Sequence, residues 1–197
     1  MQKVLFIHIP KTAGSSLNRT PILSKVDKKI HPFRTTIVDK IKEIEAEDYF
    51  KFCFVRNPYA RFYSLYKYFY KMSESHPFHK YNGQICEVVQ RYNTFEEFAL
   101  AFPTLRIKNN FHFYPQSKYT FEEGNKVVDY IGRVETFKSS IDALCEILGL
   151  DSNFEIPHAN QSTTGFWKDN YTTKSLEIVN EYYDDDFNFL SYGKLTS

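Results

Sequence analysis

Cysteine, glycine and surplus charge are all scarce in this sequence, and each scarcity removes a class of function. Three cysteines stand among 197 residues. The count is odd, and none sits in a CxxC pair or at Cys/His ligand spacing, so no zinc site is indicated. Cys53 falls in an apolar run and Cys145 in a helical pattern, where a thiol reads as a small buried apolar group. Cys86 has no such clear placing. Reduced thiols in a cytoplasmic chain are the expectation. Lys plus Arg number 25 against 24 Asp plus Glu, a formal net charge of +1. That balance argues against a duplex nucleic-acid binder, which needs a broad positive field, but it leaves room for a local basic cleft. No apolar run approaches membrane-spanning length, and no signal peptide precedes the first apolar stretch. A chain of this length is expected to be one domain, residues 1–197, or one with a small appendage, and is long enough to bury a substantial core.

Aromatic residues, by contrast, are plentiful at 18%, mostly Tyr and Phe. Most of these rings are expected in the core, although Tyr also suits stacking on adenine or sugar rings. Val4 to Ile9 is a short apolar, β-branched run, the mark of a buried strand. Pro10 ends it, having no N–H for a ladder. Lys11, Thr12, Ala13, Gly14, Ser15 and Ser16 follow: one cation, three hydroxyls and two small residues that let backbone approach a ligand. A helix is expected to begin near Ser15 or Ser16. Strand, tight polar loop and helix N-terminus together predict an anion-binding loop at the carboxyl end of a strand. It is neither of two familiar loops. Lys11 precedes the glycine where a nucleoside-triphosphate loop places it after one, and Gly14 is alone where a dinucleotide fingerprint needs three.

A second stretch, Phe52 to Tyr66 (FCFVRNPYARFYSLY), repeats the logic. Phe52 to Val55 reads as a buried strand, Asn57 as an N-cap and Pro58 as the first helical residue. Phe62, Leu65, Tyr66 and Phe69 form an apolar stripe, while Asn57, Arg61, Ser64 and Tyr68 fall elsewhere. Arg56 ends the strand over the helix start. Arg56 with Ser64 can grip a second phosphate, one by a charge-assisted fork and one by a single hydrogen bond. The plainer alternative is an Arg56 paired with an acid and a Ser64 with no ligand.

Together, IPKTAGSS and FVRNPYxRxxSxY resemble the two nucleotide-binding motifs of sulfotransferases that use 3′-phosphoadenosine 5′-phosphosulfate (PAPS). The Golgi-type carbohydrate sulfotransferases and their bacterial relatives are the nearer resemblance. Weaker likeness continues through HFYPQS, YIGRVE and PHANQS, and so spans nearly the whole chain. The resemblance implies a P-loop-like α/β fold, a central parallel sheet flanked by helices. It implies that Lys11, Thr12, Ala13, Gly14, Ser15 and Ser16 wrap the 5′-phosphosulfate, and that Arg56 and Ser64 hold the 3′-phosphate. Sulfate would pass to an acceptor hydroxyl, expected on a carbohydrate, releasing 3′-phosphoadenosine 5′-phosphate with no metal required. The N-terminal anchor of Golgi relatives is not seen here, so a bacterial-type enzyme without one is expected.

In-line sulfuryl transfer needs a cation at the leaving phosphate, donors for the sulfonate oxygens and a base for the acceptor hydroxyl. Lys11 is the natural cation. His31 and His112 are the candidate bases, because a histidine at the first place is the candidate base in similar sequences and HFYPQ lies on their acceptor side. His8, inside the first strand, reads as a core group. Arg133 and Glu135 close a third strand, where open parallel sheets bind ligands, and Asn160, Ser162, Trp167 and Lys168 belong to a late loop that closes over the nucleotide in related enzymes. Two other classes stand beside the enzyme reading: a P-loop-like kinase, for which no magnesium-binding Asp is found, and a non-catalytic nucleotide-binding module. Nothing in residues 71–119 names the acceptor, and oligomeric state is not legible.

The remaining expectations concern order. A brief strand is expected near Ile30 and a helix from Thr35 or Thr36 to about Asp48. Ser73 to Gly83 reads as loop, and Thr94 to Glu97 as a capping box opening a helix to about Phe102. A strand is expected over Val127 to Val134 and a helix over Lys138 to Leu148 stopped by Gly149. A last helix opens at Thr173, with Asp184 to Asp186 as a solvated turn beyond it.

Overall fold

A computed structural model describes residues 2–31, 35–155 and 166–196. Its contacts fall into two compact units, Met1–Asn57 with Pro115–Gln161, and Pro58–Tyr114 with Ser162–Ser197.

The first unit is an α/β layer structure, as the alternating strand and helix patterns require. Strands β1 (Val4–Ile7), β2 (Lys28–Ile30), β3 (Phe50–Val55) and β6 (Tyr130–Arg133) make a four-stranded sheet in the order β2-β1-β3-β6. Every pairing is parallel. β1 and most of β3 are buried along their whole length, which is why both read as continuous apolar runs and not as alternating ones. Phe6 stacks on Phe52 with centroids 5.0 Å apart. Ile141, Leu144 and Cys145 of helix α6 (Phe137–Leu148) pack into the same cluster. Gly149 stops α6 with φ +64, as its place after the last periodic residue predicts.

Several boundaries in this unit differ from the sequence reading. Helix α1 (Gly14–Leu17) starts one residue ahead of Ser15; it is one turn long, as the awkward Pro21 leads one to expect, and a 3₁₀ turn over Pro21–Lys25 replaces its continuation. Helix α2 (Ile37–Glu43) is capped by Thr36 Oγ1, which accepts from Asp39 N–H. It ends five residues before Asp48, because Glu45 takes a left-handed φ of 51 and Ala46 N–H reaches back to Ile41 O. A small hairpin, β4 (Phe121–Glu122) and β5 (Asn125–Lys126), was not expected. It turns on Glu123 and Gly124, both at positive φ, as a two-residue hairpin demands. Val127 N–H then returns to Thr120 O, so β6 begins later than Val127.

The second unit is helical. It comprises α3 (Pro58–Tyr70), α4 (His79–Val89), α5 (Phe95–Ala101), α7 (Thr173–Tyr182) and α8 (Asp184–Phe189). Phe62 of α3 contacts the rings of Phe95, Phe98, Phe102, Phe113 and Tyr183 at centroid distances of 4.8 to 6.4 Å. Thr94 and Glu97 form the expected capping box on α5. Helix α4 replaces part of the loop expected up to Gly83. Its start is rich in weak helix formers, but Ile85, Cys86 and Val89 bury one face, and tertiary packing outweighs propensity. Asp184 to Asp186 are not a solvated turn. They form the first turn of α8, where negative charge suits the helix dipole, and Asp186 is fully buried. Arg61, grouped by sequence on the polar side of α3, is 1% exposed, with its guanidinium donating to His112 O and Tyr114 O.

Candidate functional site

The end of β1 builds the core of the site. After Ile7 the chain turns through Ile9 and Pro10 into a loop that two left-handed residues shape, Lys11 at φ 66 and Ala13 at φ 63. Non-glycine residues there each carry strain of about 1–3 kcal/mol, a signature that clusters at functional loops. Thr12 is buried and its hydroxyl donates to Ile9 O at 2.9 Å, so it braces the loop from within. Ser16 N–H and Leu17 N–H both return to Ala13 O, closing the turn. Ser16 is buried and Ser15 exposed. Because α1 is one turn long, the macrodipole argued from sequence is a small term, and the loop's amides, hydroxyls and Lys11 are what it can offer an anion.

Gly14 is glycine for a steric reason. A Cβ there would lie 2.0 Å from Nε2 of His8. The His8 ring therefore occupies the hollow under the loop. Its Nδ1 is buried with no hydrogen-bond partner. Burial first, then Lys29, His31 and Lys11, push its pKa down to about 4, so the ring is neutral near pH 7. This is not the satisfied core histidine that the sequence indicated.

Cations gather round this loop. Burial and the Arg56 guanidinium lower Lys11 to about 8. Lys29, on the strand paired with β1, donates to Asn18 Oδ1 at 2.9 Å and lies over the Phe6 ring. His31 follows β2 directly and is exposed, its ring edge-on to His8 at 5.5 Å. Partial burial, then Lys29, lower its pKa below the ordinary value. A neutral imidazole at the mouth of a cationic loop is a competent proton acceptor.

Arg56 leaves the end of β3, half-buried. Its own backbone is held by Gln116, and the next N–H, of Asn57, donates to Glu135 Oε1 at 2.6 Å. Arg133 sits beside it on β6, opposite Val55. Its N–H donates to Ser140 Oγ and its carbonyl accepts from the same hydroxyl. The structure thus brings Lys11 to Ser16, His31, Arg56 and Arg133 onto the carboxyl edge of one parallel sheet, the position where open α/β sheets bind ligands.

Two other sequence candidates belong to the second unit. Ser64 is half-buried on α3, and His112 lies in the second unit as well. His112 Nδ1 meets Asn110 Oδ1 at 2.9 Å, and its carbonyl is held by Arg61. The Asn110 oxygen, as acceptor, assigns the proton to Nδ1 and leaves Nε2 as the basic nitrogen. Asn160 and Ser162 lie outside the described residues. Asp129 is structural: its carboxylate accepts from Lys51 N–H.

Sequence reasoning assigned His8 to the core and passed over Lys29 and Gln116. A strand histidine two residues before the loop, alternating with Phe6 on one face, was the available signal for the first. Lys29 stands two residues before His31 on the same alternation. Among the described residues, no group of three or more His, Cys, Asp or Glu is placed to hold a metal, and no helix is long and apolar enough to cross a membrane.

Searches of curated proteins and of solved structures find no match. The sequence profile of the Sulfotransferase family matches residues 1–193. With a strand–loop–helix turn at the carboxyl edge of a parallel sheet and a family match over almost its whole length, this chain belongs to the sulfotransferase family.

Proposed function

We propose that the protein transfers a sulfuryl group from 3′-phosphoadenosine 5′-phosphosulfate to an acceptor hydroxyl, with a carbohydrate as the favoured acceptor class. The observation that carries this reading is the convergence of Lys11 and Arg56 at the ends of two neighbouring parallel strands, close enough for one to depress the other's pKa. Two adjacent cations at a loop shaped by left-handed residues fit a ligand with more than one anionic group, which relieves their repulsion. The His8 ring, with Nε2 turned to Gly14 and its buried Nδ1 unpartnered, lies under the same loop. The carbohydrate preference rests on motif resemblance.

When bound, the nucleotide supplies sulfur activated by its bond to the 5′-phosphate. The acceptor oxygen forms the new S–O bond as the bond from sulfur to the bridging phosphate oxygen breaks. Lys11 neutralises the negative charge that develops on that oxygen. Ser15, Ser16 and the amides of Thr12, Ala13 and Gly14 orient the sulfonate and phosphate oxygens, while the Thr12 hydroxyl holds the loop in shape. His31 takes the acceptor's proton, and partial burial together with Lys29 beside it favours the neutral imidazole that this needs. Arg56 holds the 3′-phosphate, and Arg133 supports the adenosine side. Ser64 and His112, which belong to the second unit, enter as 3′-phosphate contact and alternative base on the strength of the motifs. Asn160 and Ser162 enter as nucleotide contacts on the same ground.

Transfer from radiolabelled PAPS to a panel of glycans tests the reading. Lys11→Ala and His31→Ala should each lower turnover by about 10²-fold or more, while most nucleotide affinity survives. Full activity in His31→Ala together with its loss in His112→Ala would move the base to His112.

A further inference from the structure

The HFYPQS stretch is used by the mechanism only through its histidine, yet its glutamine occupies an uncommon place. β3 alternates its backbone groups between its two neighbours. Phe50 N–H donates to Lys3 O on the β1 side, whereas Lys51 O and Val55 O accept from Asp129 N–H and Val134 N–H on the β6 side. Even-numbered residues of β3 therefore address β1, and odd-numbered ones β6. Arg56, the next even residue, addresses the β1 side.

By that level β1 has left the sheet. The register Ile7↔Cys53, extended, sets Pro10 opposite Arg56. Proline has no N–H to give, and beyond it the chain turns away into the phosphate loop. Making that loop opens the edge of the sheet at Arg56. Gln116 closes it. Its Oε1 accepts from Arg56 N–H and its Nε2 donates to Arg56 O, both at 2.8 Å. The side chain is wholly buried. A primary carboxamide offers the same donor and acceptor as the edge of a peptide, so one side chain replaces the departed strand. Glu135 Oε1 holds the following N–H, of Asn57. Both peptide planes flanking the Arg56 Cα are thereby fixed, and with them the direction in which its side chain leaves the backbone.

We propose that Gln116 is a positioning residue for nucleotide selectivity, fixing the backbone of Arg56 so that its guanidinium meets a 3′-phosphate. The inference rests on the function proposed above and deepens it. An isolated role in folding would require only that Arg56 N–H and C=O be satisfied. A role in selectivity also requires that ligands with and without the 3′-phosphate respond differently when those bonds are removed.

Calorimetric titration of the full chain with 3′-phosphoadenosine 5′-phosphate and with adenosine 5′-phosphate separates these roles. Gln116→Met keeps length and volume and removes both bonds; melting temperature is read alongside. Its affinity for the 3′-phosphorylated nucleotide should fall about tenfold, while that for adenosine 5′-phosphate holds. Should Gln116→Met not fold, Gln116→Glu retains the acceptor for Arg56 N–H, loses the donor, and should shift the ratio in the same direction. An unchanged ratio in a folded variant, or an equal loss for both nucleotides, overturns the proposal. If the wild-type protein itself ignores the 3′-phosphate, the function proposed above fails first, and that result is visible before any variant is made.

Discussion

The two units solve opposite problems. In the helical unit, rings close on rings: Phe62 touches five aromatic neighbours, and even the buried Arg61 donates to two carbonyls. In the sheet unit, the carboxyl edge gathers what a stable core avoids: two left-handed non-glycine residues, neighbouring cations and a buried imidazole nitrogen without a partner. The contrast separates packing from binding. The helical unit is organised by ring packing; the sheet edge gathers neighbouring cations whose repulsion a polyanionic ligand would relieve.

Substitutions sharpen this contrast, and their effects on stability should descend in a fixed order. Phe62→Ala should be the most damaging, because it empties the centre of the aromatic cluster. A loss of about 3–5 kcal/mol is expected, read as a fall in denaturant midpoint with unchanged slope. A loss below about 1 kcal/mol would mean that the cluster collapses easily and is not the anchor described here.

Acid should act next, through His8. Its folded-state pKa, about 4, lies below the ordinary 6.5. In that interval the unfolded chain binds a proton that the folded chain refuses, so stability falls as pH drops from 6.5 towards 4. Above 6.5 the term vanishes. His8→Asn removes this contribution, so the difference in stability between wild type and variant should narrow through the same window. A constant difference would show that the ring is not held neutral. Smallest of all should be the effect of Lys11→Ala, whose cation is depressed by burial and by Arg56: its melting temperature should hold or rise even as turnover is lost. A large fall would make Lys11 a structural residue and blur the division between the units.

Much of the fold was legible because the central strand β1 is wholly apolar, β3 is nearly so, and several helices carry explicit stops and caps. Val4 to Ile7, the Thr94 box and Gly149 behave as their residues dictate. What sequence hid was decided by tertiary context. Helix α4 depends on burying Ile85, Cys86 and Val89 despite a weak start. Glu45 ends α2 in a conformation that no side-chain preference announces. Asp184 to Asp186 read as the tail of one helix and are the head of another. The site followed the same rule. Lys11 and Arg56 were marked by their loops, but the orphaned His8 and the strand-replacing Gln116 are defined by neighbours distant in the chain. Gln116 lies 60 residues from the peptide it completes.

The central claim is that the sheet edge is built for a nucleotide carrying a 3′-phosphate. Calorimetric titration of the wild-type protein with 3′-phosphoadenosine 5′-phosphate, adenosine 5′-phosphate and ATP tests it directly. Micromolar binding that depends on the 3′-phosphate and needs no magnesium is the predicted result. Tight, magnesium-dependent ATP binding indifferent to the 3′-phosphate would contradict it.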